Sequence, residues 1–170
     1  MEATALSVTE LGVLGLLAEG PSHGFALSKH FQENGEVGRI LKVRRPLVYR
    51  ALGRLVEAGL AVPMHTEPGV AGPQRVIHRI TRTGRSRLRL WLKEPVEHVR
   101  SLRIEFLLKL ELLRRSGESP RALIDAQRQA LTETLQALGA PPSSDHVESW
   151  RRHIARAAAT FLDELALAWS

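Results

Sequence analysis

The stretch from Arg39 to Thr81 restricts the fold more than any other part of the chain. It reads as a basic helix followed at once by a two-stranded hairpin. Arg44-Arg45-Pro46 opens the helix, because proline is tolerated at the first helical position, where its missing N–H has no partner anyway. The helix runs to about Ala58 and Gly59 stops it. Leu60 to Thr66 and Arg75 to Ile80 read as strands. Ala61, Val62 and Met64, then Val76, Ile77 and Ile80, are apolar in short runs bounded by Pro and Gly. The connection from Glu67 to Gln74 contains Pro68-Gly69-Val70-Ala71-Gly72-Pro73, which cannot continue a helix and has little apolar surface to bury. A helix and then a hairpin is the layout of a winged helix-turn-helix.

Within the helix, Val48, Leu52, Leu55 and Val56 fall on one stripe at helical spacing and face a core. Arg45, Tyr49, Arg50, Gly53, Arg54 and Glu57 fall on the other side, with Arg50 and Arg54 one turn apart. An arginine on an exposed helix can reach the O6/N7 edge of guanine bidentately, or a phosphate. A solvated basic face is the plainer reading of any single arginine. Five arginines between Arg39 and Arg54, just ahead of a wing, favour DNA. Arg75, at the end of the hairpin loop, can touch a minor-groove phosphate.

Charge is segregated in the same way. Residues 1–94 hold 3 Lys and 11 Arg against 8 acidic residues, while residues 95–170 hold 10 of each sign. The whole net charge of +6 therefore lies in the half with the winged-helix pattern. A localised positive field attracts a polyanion and makes the affinity salt-dependent. With 44% apolar and 25% charged residues the chain is globular. The absence of cysteine excludes a disulfide framework and a thiolate zinc site. The apolar run Leu11 to Ala18 is short and carries Gly12 and Gly15, so it is neither a signal peptide nor a membrane span, and a cytoplasmic location is expected.

The remaining segments are helical. Ser7 and Glu10 form a capping box for a first helix that buries Leu11, Leu14, Leu17 and Ala18 and ends at Gly20-Pro21. Ser22 is the expected cap of a second helix, with Phe25, Leu27, Ser28 and Phe31 on a partly apolar face and Asn34-Gly35 at its end. Glu36 to Val43 forms the turn into the basic helix. Thr81 caps a helix to about Glu94, with Leu88, Trp91 and Leu92 inward and Pro95 as a boundary. Beyond it, Leu102, Phe106, Leu110 and Leu113, reinforced by Ile104, Leu107, Leu108 and Leu112, make a helix that is apolar over most of its girth and so buried or shared with a partner. Glu105, Lys109 and Glu111 read as its solvated edge. Ser119-Pro120 starts another helix, with Leu123, Ala126, Ala130, Leu131, Leu135 and Leu138 inward, and Gly139 to Ser144 breaks it. In the last helix Val147, Trp150, Ile154, Ala157, Phe161, Leu165 and Ala168 recur at mixed three- and four-residue steps, a narrow seam of the kind used between helices.

The N-terminal half resembles the PadR family of bacterial transcriptional regulators. The resemblance rests on LGLLAEGPSHGFAL, on Tyr49-x-x-Leu52-x-x-Leu55-x-x-x-Gly59-Leu60, and on Arg79-Ile80-Thr81-x-x-Gly84. The chain departs from the family at Phe25 and His78, where tyrosine is usual, and at Arg45-Pro46-Leu47, where small hydroxylic residues are usual. The resemblance implies a repressor, often responsive to a small aromatic or cationic molecule held near the dimer interface.

These observations predict a mainly α protein. Residues 1–95 form the N-terminal winged helix-turn-helix of three helices and a two-stranded wing, and residues 96–170 a C-terminal helical dimerisation domain. The expected partners are double-stranded DNA, through Arg44, Arg45, Tyr49, Arg50, Arg54 and Arg75, and a second copy, through Phe106, Leu110, Trp150, Ile154, Phe161 and Leu165. An effector, where there is one, is expected at Trp91, Trp150 or Trp169, because tryptophan offers a flat apolar face for stacking. The plainer reading is that all three tryptophans are packing anchors. A winged helix can also be a protein-binding module, or bind RNA. Enzyme chemistry is not expected: there is no phosphate loop, Gly-x-Ser-x-Gly or dinucleotide fingerprint. No cofactor or metal is expected either. His23 and His30, like His146 and His153, are seven apart, about 10.5 Å along a helix and too far for one ion. His65 and His78 can face each other across the hairpin.

Overall fold

The structure is a computed structural model that describes residues 5–68, 74–137 and 145–169, without the side chains of 135–137. It divides into two compact units, residues 1–91 and 92–170. The chain is mainly helical, with a winged helix-turn-helix followed by a helical C-terminal region.

In the first unit, α1 (Val8–Glu19) starts at a complete capping box. The Ser7 hydroxyl accepts from the Glu10 N–H at 3.3 Å, and the Ser7 N–H donates to the Glu10 carboxylate at 2.6 Å. The helix buries Leu11 through Leu17, so nearly its whole girth is core. α2 (Gly24–His30) is shorter than expected, because the chain leaves the helix at Phe31 rather than at Asn34. Ser22 is not its cap. Ser22 instead exchanges two backbone hydrogen bonds with His78, at 2.9 and 2.8 Å, as an isolated antiparallel bridge beside the two-stranded sheet. His23 takes over the cap, its Nδ1 accepting from the Ala26 N–H at 3.1 Å.

α3 (Arg45–Glu57) buries Val48, Ala51, Leu52 and Leu55 against α1 and α2, with Val56 only half-buried. Gly59, at φ +68°, turns the chain into the wing, in a conformation that glycine adopts without strain. β1 (Ala61–Glu67) and β2 (Arg75–Ile80) pair antiparallel from Ala61↔Ile80 to Glu67↔Arg75. The register slips between Pro63 and His65, which leaves Met64 as the extra residue of a bulge. His78 therefore lies opposite Pro63 and His65 opposite Ile77, so the two histidines are not cross-strand partners. The expected loop at residues 69–73 lies outside the described residues.

A tight joint locks the wing to α3 and to α4 (Arg82–Lys93). The Thr81 hydroxyl donates to the Gly59 carbonyl at 2.8 Å and accepts from the Gly84 N–H at 3.0 Å. The Thr81 N–H donates to the Leu60 carbonyl at 2.9 Å. A Cβ on Gly84 would collide with that same carbonyl. The Gly59-Leu60 and Thr81-x-x-Gly84 motifs are thus two halves of one contact. α4 buries Leu88, Trp91 and Leu92.

In the second unit, α5 (Val99–Ser101) runs through a π-helical turn, Leu102–Phe106, into α6 (Leu107–Ser116). α7 (Arg121–Ala137) packs along α8 (His146–Ala168). Gln127 is fully buried and closes a ring with Val96: its amide donates to the Val96 carbonyl at 3.0 Å and accepts the Val96 N–H at 2.7 Å. Lys109 is not on a solvated edge. It is buried, donates to the Glu94 carbonyl at 2.6 Å and lies 3.5 Å from Glu105. Its cation sits on a carbonyl just past the end of α4, where helix termini leave acceptors unpaired. Burial pushes the Lys109 pKa down, and Glu105 opposes that shift. Leu135, Leu138 and the break at Gly139 to Ser144 lie outside the described residues or side chains.

Candidate nucleic-acid interface

The face of interest is the N-terminal half of α3 with the strand ends beside it. Arg44 precedes the helix without capping it through its side chain, and Arg45 and Pro46 begin it. Arg44, Arg45 and Arg50 are exposed, and no carboxylate pairs with any of them among the described residues. Leu47 and Tyr49 are 45% and 48% exposed on the same helix. An apolar side chain and a phenol between arginines match what a groove offers, namely methyl groups and base-edge or phosphate acceptors. Tyr49 owes its place to Gly24: a Cβ there would stand 2.6 Å from the Tyr49 ring.

Arg54 departs from this set. Its Nε lies 3.0 Å from Glu10 of α1, whose side chain is only 2% exposed. Both oxygens of the buried Glu10 carboxylate are therefore engaged, one by Ser7 and the other by Arg54. The helical spacing put Arg50 and Arg54 on one face correctly. The carboxylate that separates their roles comes from a different helix, 44 positions earlier in the chain.

Arg75 comes to the same region from the wing, and it meets a residue absent from the expected set. The Phe25 ring of α2 is approached by Lys29 Nζ at 5.0 Å, Arg45 Cζ at 4.7 Å and Arg75 Cζ at 5.6 Å. His23 stacks against the same ring, with centroids 6.3 Å apart. Only the Gly24-Phe25 pair in the motif hinted at a role for Phe25. The approach of Arg75 to it depends on the hairpin folding back. Lys42 is engaged elsewhere, with Glu33 at 2.8 Å. No group of three or more His, Asp or Glu residues able to hold a metal occurs among the described residues.

The residues expected to join two copies separate into two kinds. Phe106 is fully buried within its own chain, which makes it core rather than surface, and Leu110 is half-buried. On α8 the buried residues are Arg152, Ala155, Leu162 and Ala166. The stripe containing Trp150, at 67% exposure, and Ile154 is turned outward, with Phe161 and Leu165 half-buried along it. Of the tryptophans, Trp91 is buried and Trp169 is 44% exposed.

A winged helix-turn-helix with an exposed cationic helix face is an arrangement that DNA-binding transcriptional regulators use. Residues 13–90 match the model of the transcriptional regulator PadR-like family, so this part of the chain is similar to that family. No curated protein matches the sequence. Among solved structures, Bacillus subtilis PadR in complex with operator DNA is similar over 95% of this chain and 99% of that one, at 20% identity and a TM-score of 0.51. Bacillus subtilis PadR in complex with p-coumaric acid aligns over 95% and 98%, at 20% identity and a TM-score of 0.47. At 20% identity the first of these shows a likeness of fold alone.

Proposed function

We propose that this chain is a homodimeric repressor that binds a pseudo-palindromic operator through α3 and the wing. The observation that carries the reading is the set of exposed arginines, Arg44, Arg45 and Arg50, at the N-terminal end of α3, which have no ion-pair partner among the described residues. A recognition helix meets base edges with its N-terminal residues. A protein-binding module would need those arginines covered or paired. The fold is shared with Bacillus subtilis PadR, which was crystallised on operator DNA.

In this reading residues 1–95 bind DNA and residues 96–170 join two copies in the cytoplasm. Trp150, Ile154, Phe161 and Leu165 form the seam, with Leu110 beside it and Phe106 as support from the core. Two half-sites lie about 34 Å apart or at a multiple of that. A small aromatic or cationic effector stacks on Trp150 or Trp169, the two tryptophans with an exposed face.

The experiment is selection of binding sites from a random duplex library, followed by retardation assays across a salt series. A selected pseudo-palindrome, released as salt rises, is the expected result. Recovery of unselected sequence, with no retarded complex at low salt, refutes the reading. The effector is tested by tryptophan fluorescence against phenolic acids and planar cationic dyes. Quenching and release from DNA should follow the same concentration range by linkage.

A further inference from the structure

Three cations gather on one phenylalanine. Lys29 belongs to α2, Arg45 is the first residue of α3 and Arg75 the first residue of β2, and all three approach the Phe25 ring within 5.6 Å of its centroid. A ring has two faces, so at least two of the three share one. Arg45 and Arg75 also line the same cavity of about 500 Å³, together with His23, Phe25, Tyr49 and His78, whereas Lys29 does not line it. No carboxylate pairs with Lys29, Arg45 or Arg75 among the described residues. Glu67, opposite Arg75 in the hairpin, hydrogen-bonds to His65 at 3.0 Å.

Such a cluster is electrostatically incomplete. The negative face of an aromatic ring attracts each cation by roughly 0.5–1 kcal/mol at an exposed site. It does not remove the repulsion of the cations for one another. An anion between them does. The positive field is felt at His23, whose pKa is lowered by burial first and then by Arg75, with Glu67 opposing and Lys29 adding to the effect. Guanidinium groups hold phosphate oxygens through paired N–H donors, and the Tyr49 hydroxyl can donate as well.

We infer that Arg45 and Arg75, both held against Phe25, clamp a single backbone phosphodiester of bound duplex DNA. The recognition helix and the wing then grip the same phosphate rather than two separate ones, and Phe25 fixes the distance between them. Phe25 acts here as a positioning residue. The inference rests on the DNA-binding reading above. It assigns the anion to DNA because its two arginines come from the two elements with which a winged helix meets a duplex.

The test uses the full-length protein and its library-selected duplex, made as a series in which each copy carries one neutral methylphosphonate. For the unaltered protein, one backbone position per half-site should cost roughly tenfold in affinity, the scale of a charge-assisted hydrogen bond. That penalty should vanish in both Arg45→Ala and Arg75→Ala, and the double variant should lose no more than the larger single loss. Phe25→Leu, which keeps apolar bulk but lacks the ring face, should shrink the same penalty. The Arg45/Arg75 cycle decides the matter without it should Phe25→Leu not fold. Penalties removed by the two arginine variants at different positions overturn the clamp and leave DNA binding standing. Additive losses in the double variant overturn it too, as does a free anion occupying the cavity, which would leave no backbone position sensitive to both arginines. Failure of the unaltered protein to bind any duplex overturns the clamp together with the DNA-binding reading.

Discussion

The two units expose opposite chemistries. Residues 1–91 hold 13 Lys and Arg against 7 Asp and Glu, and residues 92–170 hold 11 of each. In the first unit Arg44, Arg45 and Arg50 face solvent without a carboxylate partner among the described residues, and the surface is left to attract an outside anion. In the second unit several surface charges answer one another: Arg114 with Glu111 at 2.7 Å, Arg121 with Asp125 at 2.9 Å, and Arg128 with Asp163 at 2.7 Å. That unit also leaves large apolar side chains uncovered on α8, among them Leu167, Trp150 and Ile154. An unmatched charge calls for a polyanion and an uncovered apolar stripe for another apolar surface. The same protein thus holds two differently completed surfaces, and they can be broken separately.

The largest effect is expected on the apolar side. Trp150→Ala should weaken self-association by about 2–4 kcal/mol, the range of an interfacial hot spot. Its own unit should keep its helicity, because the side chain packs little within the subunit. Sedimentation across a concentration series measures the first and circular dichroism the second. A variant that sediments as the parent does across the same series would move any interface away from α8.

On the charged side, Arg50→Ala should cost about 1–3 kcal/mol of operator binding and leave the sedimentation unchanged. Equal retardation of the operator by variant and parent would reject this orientation of α3. Arg54→Ala sharpens the contrast within the same helix. It removes a partner of the buried Glu10, so it should lower folding stability by about 1–2 kcal/mol. Operator affinity per folded molecule should change less than in Arg50→Ala. Urea unfolding and retardation assays on the same preparations separate the two outcomes.

The smallest effect is a pH dependence at His23. Its neutral Nδ1 accepts the capping bond from Ala26, and its folded pKa is lowered. A lowered folded pKa means that the unfolded chain binds the proton more readily. The stabilisation is therefore complete above the unfolded value of about 6.5 and is lost as pH falls through the folded value. His23→Asn keeps a good cap that does not titrate. Between pH 8 and pH 5 the parent should lose up to about 1 kcal/mol more than the variant, less any solvent screening. Parallel thermal-melting curves for the two proteins would remove His23 from the account.

Much of the fold was legible before any coordinates, and the reasons are local. The Ser7–Glu10 box, Pro46 at the start of α3, the turn at Gly59 and the Thr81 cap each act within a few residues, so their residue types carry the signal. Helical periodicity gave the buried stripe of α3, with Ala51 added by the structure and Val56 moved to its margin. Periodicity was silent on the π-helical turn at Leu102–Phe106, because an extra residue in one turn leaves composition unchanged. It also placed Lys109 on a solvated edge, since spacing reports a face and not what covers that face.

Sequence by itself determined the order of elements, the basic character of α3 and the wing, and the separation of charge between the two halves of the chain. Tertiary structure alone decided which charges are satisfied. Arg50 and Arg54 are equivalent by spacing, yet α1 brings a buried carboxylate to one of them and not to the other. Ser22 looks like a cap, yet β2 takes its backbone and leaves the cap to His23. Phe25 looks like one apolar residue of α2, yet it receives arginines from α3 and from the wing. Propensity and periodicity act over three or four residues, whereas a charge, an acceptor or a ring face is completed by whatever the folded chain brings within a few ångströms of it.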